Sequence, residues 1–154
     1  MQIESRLKEL NIHLAELPKP LGSYVPCVQT GNLLFLSGVL PLREGKLTRT
    51  GKVGAAITLE QAQEDARQIA VNMLSILKMH LGDLDRVKRC VKVNSFVASS
   101  PGFTDQPKVV NGCSDLLAEV FGEAGRHARA AVGVAVLPLD APVEIDFVVE
   151  ISGA

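Results

Sequence analysis

Apolar residues in this chain recur with two periods. Over residues 58–81 they fall at Ala62, Ala66, Ile69, Ala70, Met73, Leu74, Leu77 and Leu81, three and four apart, which is the spacing of one helix face. Thr58 followed by Gln61 predicts a capping box at its start, and Gly82 predicts its stop. A second helix is predicted with Pro107 near its first turn and Gly122 at its end; its stripe is Val109, Val110, Cys113, Leu116, Leu117, Val120 and Phe121. A shorter stripe, Ile3, Leu7, Leu10 and Leu14, predicts an N-terminal helix from Ile3 to Leu14. The run LPKPLG then breaks it. Elsewhere the period is nearer two, or the run is short and apolar. Leu33 to Ser37, Val87 to Val97, Ala128 to Val136 and Val143 to Ile151 read as strands. Tyr24 to Thr30 is extended, and the pair Gly31-Asn32 makes a hairpin turn into Leu33. Pro41 to Ile57 reads as a loop with short extended pieces.

The predicted order is helix, two strands, long helix, strand, helix, two strands. This is an α/β (α+β) chain with one sheet, and both amphipathic helices can lie on one face of it. The other face then needs a cover that the chain does not supply, and a second copy of the chain is the simplest one. Composition agrees. Of 154 residues, 47% are hydrophobic and 21% charged, and mean hydropathy is +0.21. No apolar run reaches the roughly 20 residues that span a bilayer, so a membrane is not expected. The net charge is −1 and aromatics are 4%, with no Trp. Binding to nucleic acid ordinarily asks for a basic face or stacking rings, so it is not expected either. The run Arg86, Lys88, Arg89 and Lys92 reads as a solvated strand edge. Cys27, Cys90 and Cys113 are odd in number, widely spaced and set among apolar neighbours. Reduced thiols and a cytoplasmic setting follow, supported by a charged, amphipathic N-terminus unlike a signal peptide.

The candidate chemistry lies in the last two strands. In ARAAVGVAV, Ala130, Val132, Val134 and Val136 alternate as a core stripe, leaving Arg129, Ala131, Gly133 and Ala135 on the other face. A guanidinium beside such small residues suits a carboxylate held in a hollow; an Arg at a strand start is equally well placed for a surface ion pair. In the last strand Glu144 fits a general base or a water holder, or simply a solvated acidic face. If LPLDAP were a plain hairpin loop, Glu144 would pair near Val134 or Ala135. That is about 17–20 Å from Arg129, too far to share one small ligand within a chain. The two can meet only across a subunit boundary or if the connection is not a hairpin. Tyr24, the only tyrosine, can close a pocket or pack at a strand end. Ser37 and Gly38 end a strand where a free N–H can face a ligand. His127 lies two residues before Arg129 and can share its side. No P-loop, GxGxxG, zinc spacing or Ser/His/Asp set is present.

Together GSYVPCV, NLLFLSGVLP, LKMHLGDLDRVKRCVKVNSFV, VVNG and HARAAVGVAVLPLDAPVEID resemble the RidA/YjgF family, also called endoribonuclease L-PSP. The resemblance runs from about Leu21 to Ile151. It implies one domain over residues 1–154, with 1–20 as an N-terminal helical extension. The implied fold is chorismate-mutase-like, a single mixed sheet with two main helices on one face, assembled as a homotrimeric barrel with clefts between subunits. It also implies hydrolysis of 2-imino acids, formed from enamines, to 2-keto acids and ammonia, without metal or organic cofactor. Carried over, Arg129 grips the substrate carboxylate, Glu144 positions a water, Tyr24, Ser37, Gly38 and Ala131 line the substrate cleft, and Asn111 joins from the second helix. Ala131 stands where these deaminases commonly have Cys, Gly133 where they have Glu, and Ser114 where they have Tyr. The cleft is thereby wider and less polar. The alternatives are a trimer that binds small carboxylates or a partner protein without catalysis and, as a minor one, a ribonuclease.

Overall fold

In the computed structural model, which describes residues 2–17 and 22–153, the helices form where the stripes predict them. Helix α1 (Gln2–Glu9) is shorter than its stripe. Asn11 takes φ 56°, its N–H reaches the Lys8 carbonyl at 3.0 Å, and the Ile12 N–H reaches that of Leu7 at 2.9 Å. This is a left-handed stop, a conformation asparagine tolerates better than most residues. Leu10, Ile12 and Leu14 still pack on the core, so the apolar period outlasts the helix. Of the LPKPLG break, residues 18–21 lie outside the described residues.

Strands β1 (Cys27–Thr30) and β2 (Leu33–Val39) form the predicted hairpin through Gly31-Asn32, Thr30 facing Leu33. Tyr24 lies before the strand rather than in it. A small hairpin, β3 (Leu42–Arg43) and β4 (Lys46–Leu47), follows. It is fastened to α2 (Leu59–Leu81): Asn72 Nδ2 donates to the Leu40 and Leu42 carbonyls at 3.1 and 2.9 Å, and Arg43 pairs with the buried Asp65 at 3.1 Å. The capping box of α2 is present in both directions, Gln61 N–H to Thr58 Oγ1 at 3.1 Å and Thr58 N–H to Gln61 Oε1 at 3.0 Å. Every apolar position of its predicted stripe is buried.

Then come β5 (Val87–Ala98), α3 (Gln106–Phe121), β6 (Ala128–Val134) and β7 (Val143–Ile151). Helices α2 and α3 meet closely at Gly112, where a Cβ would stand 2.1 Å from the Gln63 carbonyl oxygen. The core lies between these helices and one face of a mixed sheet ordered β1-β2-β7-β5-β6. Only β5 and β6 run parallel, with α3 as their crossover. Among the described residues the other face carries no helix. On it Phe35 is 44% and Val132 45% exposed, and Glu144, Asp146 and Glu150 are half-buried.

The structure decides one open alternative and corrects one expectation. The connection between the last two strands is not a hairpin, because β5 lies between them and pairs with both. Nor is the valine side of β6 a core stripe. Arg129, Ala131 and Gly133 stand opposite Val93, Ser95 and Val97, all buried, so they face the helices. Ala130, Val132 and Val134 face the open side. Alternation gives two faces but does not say which one a helix covers, and at an edge strand the helix covers it only in part.

Candidate active site

The residues singled out from the sequence gather in two places. The first is under the edge of α3. Arg129 Nη1 donates to Asn111 Oδ1 at 2.8 Å and to Ser114 Oγ at 3.1 Å. Asn111 and Ser114 are three apart on α3, so both look down on the same spot. Ser114 Oγ lies 2.8 Å from His127 Nε2, and His127 Nδ1 lies 2.7 Å from the Gly125 carbonyl oxygen. Burial lowers the His127 pKa from its ordinary value; the hydrogen bond to Gly125 opposes this, and the Arg129 charge lowers it further. Ala131 and Gly133 continue the same side of β6. A Cβ on Gly133 would meet Gln106 Nε2 at 2.7 Å and Ser99 Oγ at 3.1 Å, so a larger residue there would have to displace Gln106.

The second place is on the open face, where β2 bulges against β7 between Leu36 and Val39. Gly38 sits there against Glu144: a Cβ would stand 2.8 Å from Glu144 Oε1. Burial, and then the charge of Asp146, push the Glu144 pKa up. Asp146 in turn accepts from Asn94 Nδ2 at 2.9 Å. Ser37 Oγ donates to the Val25 carbonyl at 2.6 Å, tying β2 to the segment that follows Tyr24. The Tyr24 ring is 57% exposed.

Within one protomer the two places do not meet. Arg129 aligns with Val93 and Phe147, and Glu144 with Phe96 and Val132. Two strand spacings and three residues separate their backbones, about 14 Å, and their side chains leave opposite faces of the sheet. An open groove of about 400 Å³ beside His127, edged by Arg89, Arg126 and Glu150, contains neither of them. Among the described residues there is no cluster of His, Cys, Asp and Glu that could hold a metal, and no helix long and apolar enough to cross a membrane. Cys90 and Cys113 are buried and Cys27 half-buried, all as free thiols. Burial pushes Cys90 up to about 12 and raises the other two as well.

Sequence reasoning missed Ser114 and His127 as a pair. The available signals were the common side of residues 127, 129 and 131 and the three-residue step from Asn111 to Ser114.

Residues 4–151 match the family model described as "YjgF/chorismate_mutase-like, putative endoribonuclease". The chain belongs to this YjgF family. Among curated relatives, protein TCP17 of Trypanosoma cruzi is 47% identical over 98% of this chain and 95% of its own. A 2-iminobutanoate/2-iminopropanoate deaminase of Dermatophagoides farinae is 33% identical over 88% of this chain and 91% of its own. Among solved structures, protein Atu1372 of Agrobacterium tumefaciens is 50% identical and superposes with a TM-score of 0.89, covering 97% of this chain and 92% of that one. The YjgF fold therefore holds over nearly the whole length. The resemblance read from the GSYVPCV and HARAAVGVAV segments is borne out.

Proposed function

We propose that this YjgF-family chain is a cytoplasmic, cofactor-free hydrolase of reactive 2-imino acids, acting in clefts between the subunits of a homotrimer. The observation that carries the reading is the state of Arg129. Its guanidinium is held by two neutral acceptors, Asn111 and Ser114, and among the described residues no carboxylate pairs with it. A half-buried cation in a built socket without a counter-ion suits an anionic ligand. Both hydrogens of Nη1 are occupied, which leaves the Nε–Nη2 edge as a two-pronged donor for a carboxylate. The Dermatophagoides farinae relative's name supplies the substrate class.

In this reading Glu144 comes from a neighbouring subunit, since it faces away from Arg129 within its own chain. An imine carbon next to a carboxylate is already electrophilic. Arg129 fixes the carboxylate, and Glu144 takes a proton from a water as its oxygen bonds to C2. Glu144 returns that proton to the nitrogen, giving a carbinolamine; the hydroxyl proton then passes through Glu144 to the amine, and as C=O forms the C–N bond breaks and the 2-keto acid and ammonia leave. Fixing both reactants supplies most of the orientation gain, and the raised pKa of Glu144 makes it a better base than a surface carboxylate. Tyr24, Ser37 and Gly38 line the same cleft.

The test generates 2-aminoacrylate with a pyridoxal enzyme and traps it with semicarbazide. The protein should divert it to pyruvate, and Arg129→Ala should abolish the diversion, a loss of about 100-fold or more. Equal behaviour of wild type and variant would refute the clamp. A second reading, a trimer that binds small carboxylates without catalysis, draws on the apolar, small Ala131 and Gly133 beside Arg129. Carboxylate binding with no diversion would favour it.

A further inference from the structure

We infer that His127 is a positioning residue, which acts through Ser114 to fix the Arg129 guanidinium and keep its Nε–Nη2 edge turned to the ligand. This rests on the proposed role of Arg129 as carboxylate clamp. The direction of each hydrogen bond can be deduced from the chemistry of its ends. A carbonyl only accepts, so the 2.7 Å contact with Gly125 requires the proton on His127 Nδ1. In the neutral ring Nε2 is then an acceptor, and Ser114 must donate its single hydrogen to it across 2.8 Å. Ser114 Oγ has no hydrogen left for any other partner and presents lone pairs, one of which takes Arg129 Nη1 at 3.1 Å. Asn111 Oδ1 takes the other Nη1 hydrogen at 2.8 Å.

The chain from Arg129 to the Gly125 carbonyl thus has one consistent polarity. Its far end is anchored in main chain. Gly125 is buried, and a Cβ on it would stand 2.1 Å from the Leu117 carbonyl oxygen, so the turn carrying the carbonyl is packed directly on α3. Without His127, Ser114 Oγ–H is free to rotate and to compete with the guanidinium for Asn111 Oδ1. The clamp then loses its single orientation, while its charge remains.

The test compares His127→Leu, Ser114→Ala, the double variant, His127→Gln and Arg129→Ala in the assembled protein, with 2-iminobutanoate formed in situ as substrate. The Kd for 2-oxobutanoate by calorimetry serves as a readout that needs no turnover. Loss of one oriented, charge-assisted contact should raise KM and Kd about tenfold in each single variant. The value of kcat should stay within about twofold, as expected for an interaction shared by ground and transition states. The double variant should be no worse than either single one. Gln places an acceptor oxygen near the Nε2 position, so His127→Gln should recover most of the affinity. Long-range proton–nitrogen spectra should show His127 as the Nδ1–H tautomer.

The inference is overturned if Arg129→Ala abolishes binding while His127→Leu and Ser114→Ala leave it unchanged. An Nε2–H tautomer also overturns it, as does a Gln variant as weak as Leu. If Arg129→Ala itself binds normally, the underlying clamp reading has failed instead. Should His127→Leu not assemble, Ser114→Ala, which removes one oxygen, and the tautomer measurement decide the matter.

Discussion

At the scale of single residues, Glu144 has the environment with the clearest consequence. Burial and Asp146 raise its pKa, so protonation extends to higher pH than for a free glutamate. The folded state then binds a proton more readily than the unfolded one between the two pKa values. Stability from this group is therefore full at low pH and is lost as pH rises through that window. For activity the sign is opposite, since the base must be ionised. The acidic limb of the kcat/KM profile for imine hydrolysis should lie above the ordinary glutamate value of about 4.3. Glu144→Gln should lose turnover while remaining at least as stable as wild type at neutral pH in urea titration. A profile with its limb at the ordinary value would count against the proposed base. Arg129 stands out in the sequence as the one charge in a strand of small and apolar residues; Glu144 is one of three acidic residues alternating along β7, so its role, like that of Asn111, is legible through the family resemblance. Ser114 and His127 carry no such contrast. Their meaning lies in a contact between α3 and the start of β6; spacing places each on the right side of its own element, but the meeting of the two elements is a tertiary fact.

The elements themselves were largely legible, because periodicity, caps and turn residues all agree along α2, α3 and β7. What alternation leaves open is orientation. Residues 128–134 can present either side to a helix, and the valine side looked like the core. The parallel pairing of β6 with β5 decides otherwise, and it is set by the α3 crossover rather than by β6. Gly112 is part of that crossover's geometry. A Cβ there would press backbone on backbone, 2.1 Å from the Gln63 oxygen, with no flexible side chain to give way. Gly112→Ala should therefore force α2 and α3 apart despite the better helix propensity of alanine, with a net loss of about 1–3 kcal/mol. Asn111 and Ser114 move with α3, so substrate KM should rise along with the fall in the urea midpoint. An alanine variant as stable as wild type would show that the helices can separate without cost. The early end of α1 belongs to the same scale: Leu10 and Leu14 keep the apolar period, but Asn11 turns the chain between them.

At the scale of the whole molecule, the two proposed half-sites, on opposite faces of one sheet, leave a choice that a mixing experiment can settle. If each cleft joins Arg129 of one subunit to Glu144 of the next, Arg129→Ala and Glu144→Gln are each inactive alone for different reasons. Unfolded together in equal amounts and refolded, they should form mixed trimers in which some clefts receive an intact Arg129 from one chain and an intact Glu144 from its neighbour. Random assembly makes about a quarter of the clefts complete. Imine hydrolysis should therefore return to about that fraction of wild type, after neither variant showed any. If the two residues served one cleft within a single chain, every cleft would carry one defect and mixing would restore nothing. A Val132→Asp substitution on the uncovered face supplies the control. It places a charge where the exposed valine and Phe35 would meet a neighbour, so it should yield monomers by light scattering and remove the recovery. Recovery that survives as monomer would rule out the shared cleft, whatever the chemistry of Arg129.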